Sequence, residues 1–304
     1  MLVKKTFNFL SKFHYDSIFN YSRNLDFEIM IDVGSHKGEL ISRFLNYKKM
    51  TKYQFSKIKN VHYNFFSAER GFSSFPYSSL NCSFNTQDSY ENIIENRKYV
   101  KDIINLNDLF FINQIHSNKV FFLEDKKQLS SKLDVDGVVT NLKNIGLSIL
   151  TADCAPIFFL DLNNDIIAAC HAGWRGALNG IIENTINKMI EIGSLRKNIL
   201  AIIGPTIQQY SYEISNDLAI KIECTTEYKS NNKILVEKSK KYFFNLPLFI
   251  KRKLNLNEIN NISDVKIDTY LNKNYFSYRR TTQNRKSNRL KNATGRQVSV
   301  IGLK

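Results

Sequence analysis

Histidine, cysteine and proline are scarce in this chain of 304 residues: five, four and four of each. Four prolines leave few rigid breaks. The cysteines, at positions 82, 154, 170 and 224, show no framework spacing. That excludes a disulfide-stapled scaffold and suits a reducing cytoplasm. No apolar run approaches the roughly 20 residues that a bilayer span requires. The N-terminus, Met1 to Lys12, carries lysines but has neither a proper apolar core nor a small-residue cleavage site, so no signal peptide is expected. Acids are outnumbered as well, 28 Asp and Glu against 43 Lys and Arg, for a net charge of +15. The 43% apolar and 23% charged fractions are those of an ordinary soluble protein. A chain of this length buries one large core or two modest ones.

The basic excess is densest at the C-terminal end, where eight Lys or Arg and no acid lie between Phe276 and Lys304. Part of it, Thr281 to Ala293, reads as a polar loop. No nucleic-acid-binding module accompanies the charge. It is therefore read as a solvated surface that draws anionic small molecules, with no membrane partner and with nucleic acid not expected.

Two of the five histidines and one of the four cysteines fall where chemistry is expected. Gly146–Leu150 and Pro156–Asp161 are short apolar runs of the kind that form buried strands. Asn163, Asn164 and Asp165 supply a turn, and Ile166–Cys170 forms a third strand that ends at His171. If consecutive strands lie side by side, Cys154 enters its strand where His171 leaves the next. Cys170 then points to the opposite face, into the core. A third candidate, His116, stands upstream in Gln114-Ile115-His116. Beyond His171, the run Gly173-Trp174-Arg175-Gly176 is a glycine-bearing turn. Apolar positions 178, 181, 182, 186, 189 and 190 then predict a helix that starts at 176–180. A helix start after a strand offers free N–H groups to an anion, and Arg175 adds a forked donor. Trp174 is read as a lid, as a stacking platform or as packing at the turn. Strands and helices alternate from about 110 to 215, the pattern of a layered α/β domain.

Taken together, the blocks Tyr77–Asn81, Glu95–Arg97, Gln114–His116, Asp136–Thr140, Thr151–Cys154, His171–Gly176, Ile203–Pro205, Phe276–Arg280 and Gly295-Arg296 resemble the laccase-like, or polyphenol oxidase-like, domain family. Its members are also called peptidoglycan editing factors and purine nucleoside phosphorylases. The blocks keep the family's order. The resemblance implies one domain over 58–304, a two-sheet α/β sandwich with outer helices. It implies a zinc ion on His116, Cys154 and His171. It further implies phosphorolysis of adenosine, inosine and methylthioadenosine to free base and sugar 1-phosphate, with adenosine deamination as a side activity. Two segments depart from the family. Ser67-Ala68-Glu69-Arg70-Gly71 stands where Thr-Arg-x-Gly-Gly is usual, and Asp268-Thr269-Tyr270 where many members have Cys-Thr-Tyr.

Three protein ligands leave a tetrahedral position open, which marks a catalytic zinc. Such an ion lowers the pKa of bound water to about 7 or polarises a substrate atom. The His-x-Glu plus Cys-x-x-Cys signature of nucleobase deaminases is absent. Asp153, beside Cys154, is then the candidate acid/base for deamination. Arg175, Asn81 and Arg279 are assigned to phosphate and substrate, with Arg296 as an alternative to Arg279 at the phosphate. Two other readings stand beside this one. Two histidines and a cysteine also make a mononuclear copper centre, as in a phenol oxidase; five histidines in all are too few for the further coppers of a multicopper enzyme. Alternatively, Cys154 and His171 form a nucleophile–base dyad of a thiol hydrolase or amidase acting on cell-wall precursors, which leaves His116 unexplained. Residues 1–57 stand apart. Phe27 to Ile41 resembles the strand–glycine–helix opening of SAM-dependent methyltransferases, but none of the further elements follow. The segment is read as a fragment without activity, with His36 a loop residue and residues 48–53 a linker.

Overall fold

A long series of short, β-branched and aromatic runs builds most of the core, and helices pack on the outside of it. The computed structural model describes residues 60–161, 163–283 and 293–304. The glycine motif at 27–41, His36, the linker at 48–53 and residues 284–292 of the polar loop lie outside the described residues.

The first strands and helix are β1 (Val61–Phe65), α1 (Tyr90–Ile104), β2 (Asp108–Phe111), β3 (Val120–Leu123), β4 (Gly137–Thr140) and β5 (Ile145–Thr151). Then come β6 (Ala155–Asp161), β7 (Ile166–Ala172), α2 (Trp174–Asn179), α3 (Ile181–Glu191) and β8 (Ile199–Ile203). The chain continues through β9 (Glu213–Ile214), α4 (Asn216–Glu223), α5 (Thr226–Ser230), β10 (Leu235–Lys238) and β11 (Lys241–Phe244). It closes with α6 (Leu246–Leu256), β12 (Asn261–Asp264), α7 (Tyr278–Gln283) and β13 (Gln297–Leu303).

A four-stranded sheet has the order β1-β13-β5-β2, and a six-stranded one the order β12-β8-β6-β7-β4-β3. A small third sheet, β10-β11-β9, lies outside these two. Strands β5 and β13 pack against β7, so the two large sheets face each other. On its other face the six-stranded sheet carries α3, which lies across β7, β4 and β3, with α6 beside it against β12. The architecture is the two-sheet α/β sandwich with outer helices. Every residue of β6 and β7 is buried, as expected for strands covered on both faces. Helix α3 turns Ile181, Ile182, Ile186 and Met189 into that core, all with no exposed surface. Each such side chain contributes about 1.5–3 kcal/mol.

Three expectations are corrected. First, helices do not alternate with strands through the first half of this region: β2 to β7 follow one another with only a 3-10 turn at Lys126–Ser130 among them. The β4–β7, β6–β7 and β6–β8 pairs are antiparallel, and such pairs need no helical crossover. Second, β5 does not lie beside β6; it belongs to the other sheet. The Thr151–Cys154 turn carries the chain across the sandwich. Third, the helix after His171 begins at Trp174 and breaks at Gly180, whose φ of +96° ends α2 and opens α3. The first helix start thus lies at Gly173, ahead of positions 176–180, with a second start at Gly180.

Candidate metal centre

The register of one strand pair brings the first two side chains together. Pro156 faces His171 and Ala155 faces Ala172 in the antiparallel β6–β7 ladder, so Cys154, just before β6, lies at the strand end where His171 emerges. His116 arrives from the loop between β2 and β3, which two devices fix in place. Gln114 docks on β5 like an extra rung, accepting from the Leu150 N–H at 2.8 Å and donating to the Leu150 carbonyl at 2.7 Å. His116 itself takes the left-handed backbone conformation, φ +59°, which turns its imidazole back over the strand ends.

The potential ligand atoms of His116, Cys154 and His171 all lie within 4.8 Å of one another. The two imidazoles meet edge to face, 4.7 Å between centroids. His116 is exposed, Cys154 half-buried and His171 buried, so the cluster opens on one side only. Gly173 completes the cradle. A Cβ on this residue would sit 2.9 Å from both the Cys154 sulfur and His116 Nδ1. The space that a side chain would fill is thus kept clear between two of the donors. One sulfur and two imidazole nitrogens, bare of any intruding methyl, fit a tetrahedral ion with one open position. Among the described residues this is the one such group of three. The remaining described histidine, His62, bonds to the Ile104 carbonyl far along β1.

Beneath the cluster lies Asp136, quoted above only as part of a sequence block. It is fully buried. One carboxylate oxygen accepts from His171 Nδ1 at 2.8 Å and from the His116 N–H at 3.0 Å. The other accepts from the N–H groups of Ile115 and Ser117 and from the Ser117 hydroxyl. Burial alone would raise its pKa, but the bond to His171, that ring's charge and the Ser117 donors outweigh burial and hold it below the usual carboxylate value. His171 responds in kind: burial opposes its protonation, yet Cys154 and Asp136 raise its pKa to about 9. His116 is lowered, by burial first and then by the charge of His171.

Around the open side stand basic and aromatic groups. Arg175 is exposed, with its guanidinium 4.6 Å from the Trp174 ring centre. Arg279 lies 5.4 Å over the Tyr212 ring. Arg296 is partly buried and donates to the carbonyls of Thr294 and Gly295; burial lowers its pKa, while Cys154 and Asp153 oppose that shift. Tyr212 is pushed well above the usual phenol value, by burial and then by Cys154. A cavity of about 290 Å³, lined by Trp174, Tyr212, Glu213, Leu218, Lys221 and Arg279, adjoins this side. Nothing in the sequence singles out Tyr212; Asp136 is visible there only as the start of the Asp136–Thr140 block, and Arg296 as a candidate for phosphate.

The remaining sequence-assigned residues are placed differently. Asp153 is buried, at φ +86°. Its carboxylate accepts from the Thr269 hydroxyl at 2.8 Å and from the Arg279 N–H at 2.7 Å, and its carbonyl from Thr206 and Ile207. Burial raises its pKa against these bonds. Asn81 is fully buried. Its amide donates to Thr86 and Asp88 and accepts from the N–H groups of Ser83 and Arg296. Arg280 clamps the carbonyls of Thr269, Tyr270 and Tyr275, which leaves Arg279 as the arginine of its pair that faces the cavity. Of the departures, Ala68 packs with Ala152 and Phe276 beside the Thr151–Cys154 turn, and Asp268 accepts from the Ser211 hydroxyl and the Tyr270 N–H.

Residues 62–304 match the family model described as multi-copper polyphenol oxidoreductase laccase. The chain is 34% identical over 224 residues to a purine nucleoside phosphorylase of Rickettsia prowazekii, covering 73% of this chain and 89% of that protein. It is 30% identical over 241 residues to one of Clostridium acetobutylicum, covering 78% and 94%. Among solved structures, a hypothetical protein of Bacillus licheniformis superposes with a TM-score of 0.74 at 28% identity, over 82% of this chain and 95% of the other. A Neisseria meningitidis protein gives 0.71 at 28%, over 81% and 95%. No helix among the described residues is long and apolar enough to cross a membrane.

Proposed function

The chain belongs to the multi-copper polyphenol oxidoreductase laccase family, and from that premise we propose that it is a zinc-dependent purine nucleoside phosphorylase. The observation that carries the reading is the juxtaposition of a one-sided His-Cys-His cradle with three arginines, in a chain whose relatives bear that enzyme's name. The substrates proposed are adenosine, inosine and methylthioadenosine with inorganic phosphate, and deamination of adenosine is the proposed side activity. Zinc is proposed because sulfur and imidazole nitrogen are both among its usual donors, because three protein ligands leave an open position, and because the relatives bear the name of a phosphorylase. The setting proposed is a reducing cytoplasm, where Cys154 stays available as a ligand.

His116, Cys154 and His171 would hold the ion, and when bound it supplies Lewis-acid polarisation of a substrate or phosphate oxygen. The rest of the work falls to side chains. Arg175 and Arg296 hold the phosphate dianion by charge-assisted bonds. The cavity bounded by Trp174 and Tyr212 takes the nucleoside, with Arg279 on its wall. A phosphate oxygen forms a bond to the anomeric carbon as the carbon–nitrogen bond breaks, and the electron pair leaves with the base, which takes up a proton. Positive charge builds on the sugar ring during this step, and the phosphate held against it compensates. Bonds from Thr269, Arg279 and Ser277 already occupy the Asp153 carboxylate, so its part here is to hold the Arg279 backbone in place; Asn81 does the same for Arg296. The chemistry is assigned to residues 58–304, and deletion of residues 1–50 is expected to leave it intact.

Adenine and inosine release from adenosine, followed with and without phosphate, tests the proposal. Adenine release is expected to require phosphate. Arg175→Ala is expected to weaken phosphate use by about 1.5–3 kcal/mol, one charge-assisted bond, and to spare deamination. Adenine release without phosphate would mean a hydrolase. Bound copper with phenol oxidation would overturn the zinc reading.

A further inference from the structure

We propose that Asp136 is the positioning residue of the metal centre: one buried carboxylate fixes both histidines, His171 through its ring and His116 through its backbone. The proposal rests on the metal reading above and adds a residue that the reading does not use.

The geometry divides the labour between the two oxygens. Oδ1 accepts from His171 Nδ1 at 2.8 Å, which requires the proton to sit on Nδ1 and leaves Nε2 with its lone pair for an ion. The same oxygen accepts from the His116 N–H at 3.0 Å. Oδ2 gathers the flanking donors of that loop: Ile115 N–H at 3.2 Å, Ser117 N–H at 2.6 Å and the Ser117 hydroxyl at 2.8 Å. Three consecutive N–H groups converging on one carboxylate hold the loop in the turn that His116 needs, including its left-handed φ. The backbone of Asp136 adds a further tie, its carbonyl accepting from the His171 N–H at 2.7 Å. A neutral amide cannot replace this carboxylate. Whichever way an asparagine faces, its NH₂ points at two or three donors, and either the ring of His171 or the loop of His116 loses its partner.

The test is cobalt(II) binding to metal-free full-length protein, read by visible absorption and by competition with a chelator. The wild type is expected to bind with the bands of a tetrahedral sulfur-ligated ion. Asp136→Asn is expected to bind about 10–100-fold more weakly, with altered bands. In a His171→Ala background the same change is expected to add a smaller loss, because part of its effect passes through that ring. An equal loss in both backgrounds, with wild-type bands, would mean that Asp136 only supports the fold and would overturn the proposal. Should Asp136→Asn fail to fold, Ser117→Ala carries the test. It removes one donor at the loop and is expected to weaken cobalt binding about two- to tenfold; unchanged affinity and bands would count against the proposal. A wild type that binds no cobalt or zinc at all would instead sink the metal reading, and this inference with it.

Discussion

Asp136 and Asp153 are both buried, and both collect hydrogen bonds from several segments of chain, yet their surroundings push them in opposite directions. Burial acts against ionisation of each. At Asp136 the bond and charge of His171 and the Ser117 donors overcome it, and the carboxyl is held low. At Asp153 the bonds from Arg279, Ser277 and Thr269 do not overcome it, and the carboxyl is held high. Burial alone therefore does not set the behaviour of a carboxylate; the charges and donors facing it are weighed against burial. The consequence is a division of function. Asp136 organises the two histidines of the cluster, whereas Asp153, although it precedes Cys154 directly, organises the C-terminal segment that delivers Arg279. The residue next to a ligand in sequence is not the one that serves the ligands in space.

The sharpest way to break this comparison is to disable one half alone. Cys154→Ser is expected to reduce zinc from about one ion per chain to a small residue, because a hydroxyl is a far poorer ligand than a thiolate. Gly173→Ala is expected to do much the same without touching a ligand, since its Cβ would lie 2.9 Å from two of the donors. Both variants should keep the far-ultraviolet circular dichroism of the wild type and lose phosphorolysis. Full zinc occupancy in Gly173→Ala, measured by elemental analysis, would show that the cradle is not where the ion sits.

Disabling the other half is expected to give the complementary result. Asp153→Ala strips the acceptor from the Thr269 hydroxyl and the Arg279 N–H. A buried donor left unpaired costs about 1–3 kcal/mol, so the midpoint of chemical denaturation should fall clearly. Zinc content should stay near one per chain, while the KM for phosphate or nucleoside rises as Arg279 loses its anchor. Loss of zinc with unchanged stability would reverse the roles assigned to the two aspartates.

The sequence disclosed the two halves unequally. The meeting of Cys154 and His171 was legible because strand pairing between neighbouring runs is local, and a short turn fixes the register. His116 was a candidate in the sequence, but only the resemblance joined it to the other two, since its loop is held by bonds from Gln114 and Asp136 across 36 and 20 residues. Asp136 and Tyr212 were not legible as site residues, and Arg296 was legible as a phosphate candidate without its arrangement. Each depends on contacts between distant segments, and no spacing rule encodes those. The same limit explains the errors in the fold. An apolar run such as β5 does not say which of two sheets it joins, and the helical period at 178–190 does not reveal that Gly180 will take a positive φ.

The smallest expected effect concerns the thiols, and it distinguishes cluster from core without altering the chain. Cys82 and Cys170 are fully buried. Burial pushes the Cys82 thiol up to about 12 and that of Cys170 higher still, so neither supplies appreciable thiolate at pH 8, and neither is open to reagent. Cys224 is exposed and Cys154 half-buried on the open side of the cluster. Iodoacetamide at pH 8 should therefore modify Cys224 in the native protein whether or not metal is present. Cys154 should react only after a chelator has stripped the ion, and added zinc should restore its protection, because a sulfur bound to metal is no longer a free nucleophile. Peptide mapping by mass spectrometry reads all four sites at once. Equal labelling of Cys154 in the zinc-loaded and stripped protein would remove it from the ligand set, and labelling of Cys170 would mean that β7 does not hold that side chain in the core.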